Sequence, residues 1–303
     1  MRYQEYVRAT SKVIAQYSFA LTVRQIFYRL FSAGFFENTT NSYKRLDKML
    51  TKARERGDID AESIVDRSRE IIGGDYGYHS IDDFVKSNIE ELKDLEQYTR
   101  RLWDDQPRYV EIWVEKDALA TLVSNIADGF RVVTYPSRGY SSYTMVNDAI
   151  KRFYRYQERP ITVLHFADHD PSGVNMTEEI QSRFYRYGCY ANVRRIALTY
   201  EQVKEFGLAP MPTKLQDSRW RKYSIKYGSE CWELDALPPD ELQRLVRESI
   251  KEYIDVAAWN KKMRLIEQEK KLLEKRFSSM EVISLLARLE SLLCGRSKRK
   301  KAV

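Results

Sequence analysis

ITVLHFADHDPSGVNM, residues 161 to 176, joins a strongly apolar run to two aspartates, a proline and a glycine. An apolar run such as Ile161 to Phe166, closed by turn residues, is typical of a strand buried on both faces of a parallel sheet. Asp168 and Asp170 follow that strand directly, and α/β folds bind their ligands at the carboxyl ends of such strands. The stretch therefore predicts an α/β fold with its chemistry at one edge of a sheet.

The sequence around this stretch alternates strands with helices. Strands are predicted at 109–115, 130–136, 161–167 and 190–198. Helices are predicted between them at 119–127, 142–157 and 172–187. Such alternation implies right-handed crossovers and a mainly parallel sheet, so residues 108–255 are expected to form one α/β domain.

Residues 1–75 have a different pattern, with three short helices predicted at 3–14, 22–32 and 42–56. Thr22 and Ser42 are of the residue types that cap the amino termini of helices. An extended piece is predicted at 59–65. Three helices followed by a short extended piece are typical of a winged helix-turn-helix, so we expect an amino-terminal DNA-binding domain.

The remaining segments are predicted to be connectors and helices. A glycine-rich break at 73–77 precedes a polar helix expected from about 82 to 103, within a helical linker spanning 76–107. Residues 210–230 show no clear hydrophobic periodicity of a helix or a strand. Residues 256–303 are expected to form a helical extension with a break near Ser278 and a basic end.

Composition limits the classes of partner and compartment. The chain has 303 residues with 51 Lys and Arg against 44 Asp and Glu, a net charge of +7 that favours a polyanionic partner. Its three cysteines are too widely spaced for a CxxC zinc site or a disulfide framework. The amino terminus lacks the apolar core of a signal peptide, and no apolar run approaches membrane-spanning length. We therefore expect a cytoplasmic, nucleoid-associated protein without a membrane partner.

Three carboxylates are predicted to meet at the edge of the sheet. Glu115 ends the first strand of the α/β domain, and Asp168 and Asp170 follow the third. Carboxylates at one edge repel one another unless a cation neutralises them, and hard oxygen ligands suit Mg²⁺ better than zinc. The alternative is that these acids cap neighbouring helices or pair with basic side chains such as Lys116.

The second predicted helix carries a candidate nucleophile. Winding residues 23–31 at 100° per residue gathers the apolar side chains on one side and leaves Tyr28 on the polar flank, one turn after Arg24. A displayed tyrosine beside an arginine suits attack on a phosphodiester, because the arginine holds the phosphate and favours the phenolate. The alternative is an ordinary amphipathic tyrosine at a helix edge, in a chain with 21 tyrosines.

The third predicted helix carries a basic face. Its cations are Lys44, Arg45, Lys48, Lys52 and Arg56. On the recognition helix of a helix-turn-helix, these cations favour nucleic acid over a merely solvated face. The basic tail RSKRKK, residues 296 to 301, is predicted to be a disordered phosphate-binding appendage.

Four further polar residues are given structural interpretations. Glu233 and Asp235, in CWELDALPPDEL at 231–242, are expected to form a latch to a nearby arginine rather than a catalytic element. His165 points along a buried strand, and His169 is interpreted as a filler at a variable position.

Several of these motifs together resemble a known family. Glu115 in VEKDA, the loop SRGYSS at 137–142 and ADHDPSG at 167–173 resemble the Toprim domain. Together with the upstream LTVRQIFYRL, they resemble the A subunit of topoisomerase VI and its relative, the meiotic double-strand-break transesterase. The resemblance covers about residues 18 to 200 and implies a winged-helix domain followed by a Toprim domain. The length of the chain resembles that of the compact stand-alone relatives.

The resemblance also implies an activity. Tyr28 would be the nucleophile, Arg24 its phosphate-binding neighbour, and Glu115, Asp168 and Asp170 the Mg²⁺ ligands for cleavage of double-stranded DNA by transesterification. It further implies a homodimer in which the tyrosine of one protomer faces the metal of the other, and a separate ATPase B-type subunit. Two alternatives stay open: a hydrolytic Toprim nuclease in which Tyr28 is structural, and a DNA-binding protein that does not cleave.

Overall fold

A computed structural model describes residues 3–65, 79–137, 143–211, 217–278 and 288. The chain divides into two compact units, Met1–Glu70 with Pro107–Ile254, and Ile71–Gln106 with Asp255–Val303. These boundaries lie within a few residues of the predicted ones, but the grouping differs. The predicted amino-terminal and α/β domains share the first unit, and the predicted linker shares the second with the carboxy-terminal extension.

The amino-terminal part of the first unit contains three helices and two short strands. These elements are α1 (Tyr3–Ile14), β1 (Leu21–Thr22), α2 (Val23–Ser32), α3 (Thr40–Glu55) and β2 (Ile64–Val65). Thr22 caps α2 as predicted, and Gln25 completes a reciprocal capping box. Ser42 was predicted to cap α3, but Thr39 does so, because its hydroxyl accepts the Ser42 N–H at 3.1 Å.

The predicted extended piece at 59–65 is a strand only at its end. Asp60 caps a 3-10 turn at Ala61–Ser63, which leaves β2 two residues long. This strand pairs in parallel with β1. The helices are those expected of a winged helix-turn-helix, whereas a wing is built from antiparallel strands, so the winged-helix assignment stays a prediction.

The polar helix predicted at 82–103 is shorter in the structure. Helix α4 spans Ile81–Lys93. It ends there because the Asp94 carboxylate accepts the Glu96 N–H at 3.2 Å and starts a separate 3-10 turn, Leu95–Gln97. A second such turn spans Leu102–Asp105.

The α/β part of the first unit is a parallel sheet with helical crossovers. Its elements are β3 (Tyr109–Val114), α5 (Asp117–Ala127), β4 (Val133–Pro136), α6 (Tyr143–Phe153), β5 (Ile161–Phe166), α7 (Pro171–Arg186) and β6 (Asn192–Ala197). The strand order is β4-β3-β5-β6, and all neighbouring strands are parallel. The predicted α/β class is confirmed, and β3 and β5 are the central strands, buried along their whole length.

Four helices follow the sheet within the described residues up to 278. They are α8 (Tyr200–Glu205), α9 (Trp220–Tyr227), α10 (Pro239–Lys251) and α11 (Val256–Phe277). Helix α9 lies in the segment for which the sequence shows no period, and α11 ends at the break predicted near Ser278. The glycine-rich break at 73–77, the loop residues 138–142 and the basic tail lie outside the described residues.

The second unit is held together by contacts of α11. Trp103 packs edge-to-face on Trp259, with ring centroids 6.4 Å apart. Lys262 is buried, and its ammonium lies 2.5 Å from the Asp105 carboxylate. In the described part of the chain, none of the helices has the length and apolar character needed to cross a membrane.

The central strand β3 carries a buried carboxylate in its middle. Glu111 is 0% exposed, and both of its oxygens accept hydrogen bonds from Arg152 on α6, at 2.9 and 2.8 Å. The Trp113 indole donates to the same carboxylate at 3.3 Å. Because a buried charge requires this pairing, the bridge fixes α6 against the sheet.

Candidate active site

The carboxyl ends of β3 and β5 bring two of the predicted acids together. Val114 pairs with Phe166 in register, and the Glu115 N–H donates to the Phe166 carbonyl at 2.9 Å. Two residues after Phe166, the Asp168 N–H donates to the Glu115 carboxylate at 3.0 Å. The adjacency of two central parallel strands therefore places Glu115 beside Asp168 despite their separation in sequence.

Asp170, the third predicted acid, is the N-cap of α7. Its carboxylate accepts the Gly173 N–H at 2.6 Å. A Cβ at Gly173 would lie 2.1 Å from the Asp168 carbonyl oxygen, so this position admits no side chain. The Pro-x-Gly turn that follows the aspartates thus lets α7 start directly against the acid-bearing backbone.

Burial and mutual repulsion both disfavour the charges of the acids at this edge. Burial and the neighbouring Asp168 carboxylate raise the pKa of Glu115 to about 7. Burial also raises the pKa of Asp170, although the hydrogen bond from Gly173 opposes that rise. The edge therefore resists carrying its full negative charge.

Arg195 supports this edge and was missed by the sequence analysis. Its guanidinium on β6 donates to the carbonyls of Ala167, Asp168 and Gly173, with distances of 2.9 Å to Ala167 and 2.8 Å to Gly173. Burial lowers its pKa to about 10, and the three predicted acids oppose that shift. The available signal was an arginine pair in a short strand, since alternation turns one of them inward.

Lys116 is the cation nearest to Asp168. Its ammonium lies 3.0 Å from Asp168, 2.7 Å from Asp235 and 3.5 Å from Glu233. Burial opposes its charge, but the three carboxylates together raise its pKa well above the ordinary value. These contacts, with the cap made by Asp170, are the structural pairings that the sequence left as an alternative to a metal site.

Tyr28 is buried, so the prediction of a displayed phenol is wrong. It is 2% exposed, and its hydroxyl donates to a Glu233 oxygen at 3.4 Å. The polar flank of α2 is covered by the segment 233–236, because Arg29 donates to the Ala236 carbonyl at 2.5 Å. Burial and the Glu233 carboxylate raise the pKa of Tyr28, which keeps it protonated.

Arg24 forms the latch that was expected of the WELDA segment. Its guanidinium pairs with the other oxygen of Glu233. Burial disfavours the charge on Arg24, yet the Glu233 carboxylate raises its pKa. Asp235 belongs to the same bridge, but it pairs with Lys116 and accepts a hydrogen bond from the Thr22 hydroxyl at 3.3 Å.

These contacts join the tyrosine to the acidic edge within one chain. Tyr28 contacts Glu233, Glu233 contacts Lys116, and Lys116 contacts Asp168. The link comes from the segment 233–236, which follows the sheet, and not from the sequence between Tyr28 and Glu115. The other arrangement, a homodimer in which the tyrosine of one protomer faces the metal of the other, stays a prediction.

Carboxylates outnumber cations around this bridge. Five carboxylates interact here with three cations: Glu115, Asp168, Asp170, Glu233 and Asp235 with Arg24, Lys116 and Arg195. Within this set the carboxylates exceed the cations by two, and an all-carboxylate donor set suits Mg²⁺. Among the described residues, no three or more His, Cys, Asp or Glu side chains are arranged to hold a metal ion.

His169 is not a filler, and that interpretation is wrong. It is buried among Tyr200, Tyr223, Tyr227 and Trp232, and its ring nitrogen Nδ1 lies 2.8 Å from the Tyr223 hydroxyl. Its backbone also pairs with that of Trp232. His169 thereby anchors the segment that leads into Glu233. His165 is buried on β5, as predicted.

The basic face of α3 is exposed as the helical pattern predicts. Leu46, Leu50 and Ala53 are buried on the opposite side. The five predicted DNA-binding cations, Lys44, Arg45, Lys48, Lys52 and Arg56, all lie on the solvent side. Three of them also contact tyrosine rings of α1, since Arg45 lies 5.5 Å from the Tyr6 ring, and Lys52 and Arg56 lie 5.6 and 5.2 Å from the Tyr3 ring.

Comparison with known proteins adds no identification to this geometry. The chain matches no family model, and a search of the curated proteins finds no significant match.

We predict that Gly173→Ala destabilises the protein, because the new methyl group would lie 2.1 Å from the Asp168 carbonyl oxygen. The expected loss is about 1–3 kcal/mol in the free energy of unfolding, measured by denaturant titration. Gly129→Ala is the matched control, because its Cβ would meet nothing within 4 Å. Equal stability of the two variants would show that α7 does not start as tightly against the acids as described.

Proposed function

We propose that this chain cleaves double-stranded DNA by Mg²⁺-dependent tyrosine transesterification, with Tyr28 as the nucleophile. One observation carries the proposal: a single chain connects a tyrosine-arginine pair to an acidic edge through Glu233 and Lys116. A nucleophile, an anion-binding cation and a carboxylate cluster are the groups that this chemistry requires. The resemblance to the topoisomerase VI A subunit supports the same assignment.

The reaction exchanges one phosphodiester for another. The Tyr28 oxygen forms a bond to phosphorus while the bond to the 3′ oxygen breaks, the phenol loses its proton, and the 3′ oxygen gains one. Arg24 lies one turn before Tyr28 and binds the phosphate. Because the energy of the phosphodiester is retained in the tyrosyl bond, the reverse reaction rejoins the strand.

Glu115, Asp168 and Asp170 are the residues that would hold Mg²⁺. The excess of carboxylates and the raised pKa of Glu115 support this, because a divalent cation relieves the repulsion that both reflect. When bound, the ion supplies positive charge that stabilises the phosphate and the leaving oxygen. Asp168 would bind the ion in place of its contact with Lys116.

The DNA partner accounts for the remaining features. The exposed cations of α3 contact phosphates, and symmetric cutting of a duplex requires two sites, so we propose a homodimer with one complete site in each chain. A separate ATPase B-type subunit is proposed from the family resemblance. A cytoplasmic, nucleoid-associated location follows from the DNA partner.

Two observations favour alternative functions for the protein. The burial and raised pKa of Tyr28 favour a hydrolytic nuclease in which the tyrosine is structural. The Lys116 ammonium beside Asp168 favours a DNA-binding protein that does not cleave, because it already neutralises one of the acids. Product analysis separates these functions from transesterification.

We predict that wild-type protein incubated with supercoiled plasmid and Mg²⁺, then quenched with detergent, becomes covalently attached to DNA. Tyr28→Phe should reduce this product by at least about 10³-fold, because the nucleophile is lost. Tyr43→Phe is the matched control, since it removes a neighbouring phenol that lines the same cavity. Mass spectrometry should locate the nucleotide on the tryptic peptide QIFYR, residues 25 to 29.

Two outcomes would contradict this assignment. Cleaved DNA with free ends and no attached protein would indicate hydrolysis. A nucleotide on another tyrosine would assign the chemistry to that residue.

We predict that replacing Lys44, Lys48 and Lys52 together by Ala weakens DNA binding and reduces its dependence on salt. Each lost phosphate contact lowers the slope of log K against log salt by about 0.9, so the expected change is about 2–3 units. The control replaces Lys261, Lys271 and Lys275 of α11, which are also exposed. Binding of labelled duplex is measured by fluorescence anisotropy in EDTA, and an equal change in the two triple variants would place the DNA elsewhere.

A further inference from the structure

The carboxylate of Glu233 makes the contacts that a phosphate would need at this site. Its Oε1 atom pairs with the Arg24 guanidinium. Its Oε2 atom accepts the Tyr28 hydroxyl at 3.4 Å and lies 3.5 Å from the Lys116 ammonium. Two cations and a hydroxyl donor also suit the nonbridging oxygens of a phosphodiester, because both anions accept charge-assisted hydrogen bonds.

A cavity of about 220 Å³ opens onto the same groups. Its wall includes Arg24, Tyr28 and Glu233. Thr39, which caps α3, and Thr40, its first residue, also line the cavity. Helix α3, whose amino-terminal residues line this cavity, also carries the exposed cations to which DNA phosphates are proposed to bind. On that proposal, Glu233 lies where a phosphate would approach Tyr28.

Only the side chain of Glu233 has to move to release the Arg24 guanidinium and to open the side of Lys116 that it faces. The backbone of its segment is held independently, since the Leu234 N–H donates to Asp168 at 2.8 Å and Arg29 donates to the Ala236 carbonyl at 2.5 Å. Asp235 also keeps its contact with Lys116, at 2.7 Å. A rotation of one side chain can thus exchange an internal carboxylate for an external phosphate while the bridge persists.

We propose that Glu233 is an internal competitor of DNA, whose carboxylate occupies the phosphate position between Arg24, Lys116 and Tyr28 until a phosphodiester displaces it. The inference rests on the proposed function, because it takes the cavity beside Tyr28 as the path of the DNA strand. While Glu233 fills the position, the apparent affinity for DNA falls in proportion to the fraction of open chains. The contact therefore covers Tyr28 at rest and favours a ligand with densely spaced phosphates.

The test is DNA binding by Glu233→Gln, which keeps the shape of the side chain and removes its charge. Affinity for a labelled duplex is measured by fluorescence anisotropy in EDTA. We expect binding about tenfold tighter than wild type, equivalent to about 1.4 kcal/mol. Glu230→Gln is the matched control, because it removes one charge from an exposed position in the same segment, and its affinity should change less than about twofold.

Arg24 provides the second arm of the test. In an Arg24→Gln background, Glu233→Gln should lose most of its advantage, because the freed guanidinium is what binds the phosphate. Glu233→Asp, which retains the charge but shortens the reach, should also bind DNA more tightly than wild type if Glu233→Gln fails to fold. Circular dichroism of each variant establishes folding.

The proposal is overturned if Glu233→Gln binds DNA no more tightly than Glu230→Gln, or if its advantage persists fully without Arg24. Loss of covalent product by Glu233→Gln with unchanged binding would also overturn it, since Glu233 would then act as a base. The binding outcomes are independent of the proposed cleavage, because binding is measured without metal. If Glu233→Gln binds DNA more tightly through Arg24 while the wild-type protein forms no covalent bond to DNA, the result supports the role of Glu233 as a competitor. The same result would refute the proposed transesterification.

Discussion

The ammonium group of Lys116, on a side chain that is 23% exposed, makes the contacts on which the rest of the site depends. It contacts Asp168, which follows β5 in the chain, and it contacts Glu233 and Asp235, which precede α10. A buried charge is tolerated only when it is paired, so removing one member would leave the others uncompensated. The segment that supplies two of these carboxylates also holds α2 through Arg29. One cation thereby ties the amino-terminal helices to the sheet, which explains why both belong to a single compact unit.

Features that depend on short-range patterns could be predicted from the sequence. The apolar run Ile161 to Phe166 gave a central strand, because burial on both faces leaves a continuous apolar signature. Thr22 gave the start of α2, because capping uses residues within one turn. The exposed side of α3 was predictable from the helical spacing of its apolar residues. Even the meeting of Glu115 and Asp168 was predictable, because parallel strands align their carboxyl ends.

The contacts that build the site join distant parts of the chain and have no local signature. A helical wheel places Tyr28 on the polar flank but does not reveal that a segment some two hundred residues later covers it. Arg195 was missed and His169 was misinterpreted for the same reason. The partners of Arg195 lie just after β5 and in α7, and the His169 ring contacts Tyr223 in α9. The covered tyrosine changes the functional account as well. Under the proposed function, it implies a resting site that DNA has to open, rather than a nucleophile displayed to solvent.

The central claim is that the tyrosine and the acids of one chain work together, and purified heterodimers test it most directly. Each heterodimer is isolated through two different affinity tags and assayed for nicking of supercoiled plasmid with Mg²⁺. A wild-type chain paired with a Tyr28→Phe/Glu115→Gln chain retains one complete site if the groups act within one chain, so it should nick. A Tyr28→Phe chain paired with a Glu115→Gln chain should be inert. The opposite pattern would show that the tyrosine acts on the metal site of its partner, and it would contradict the account.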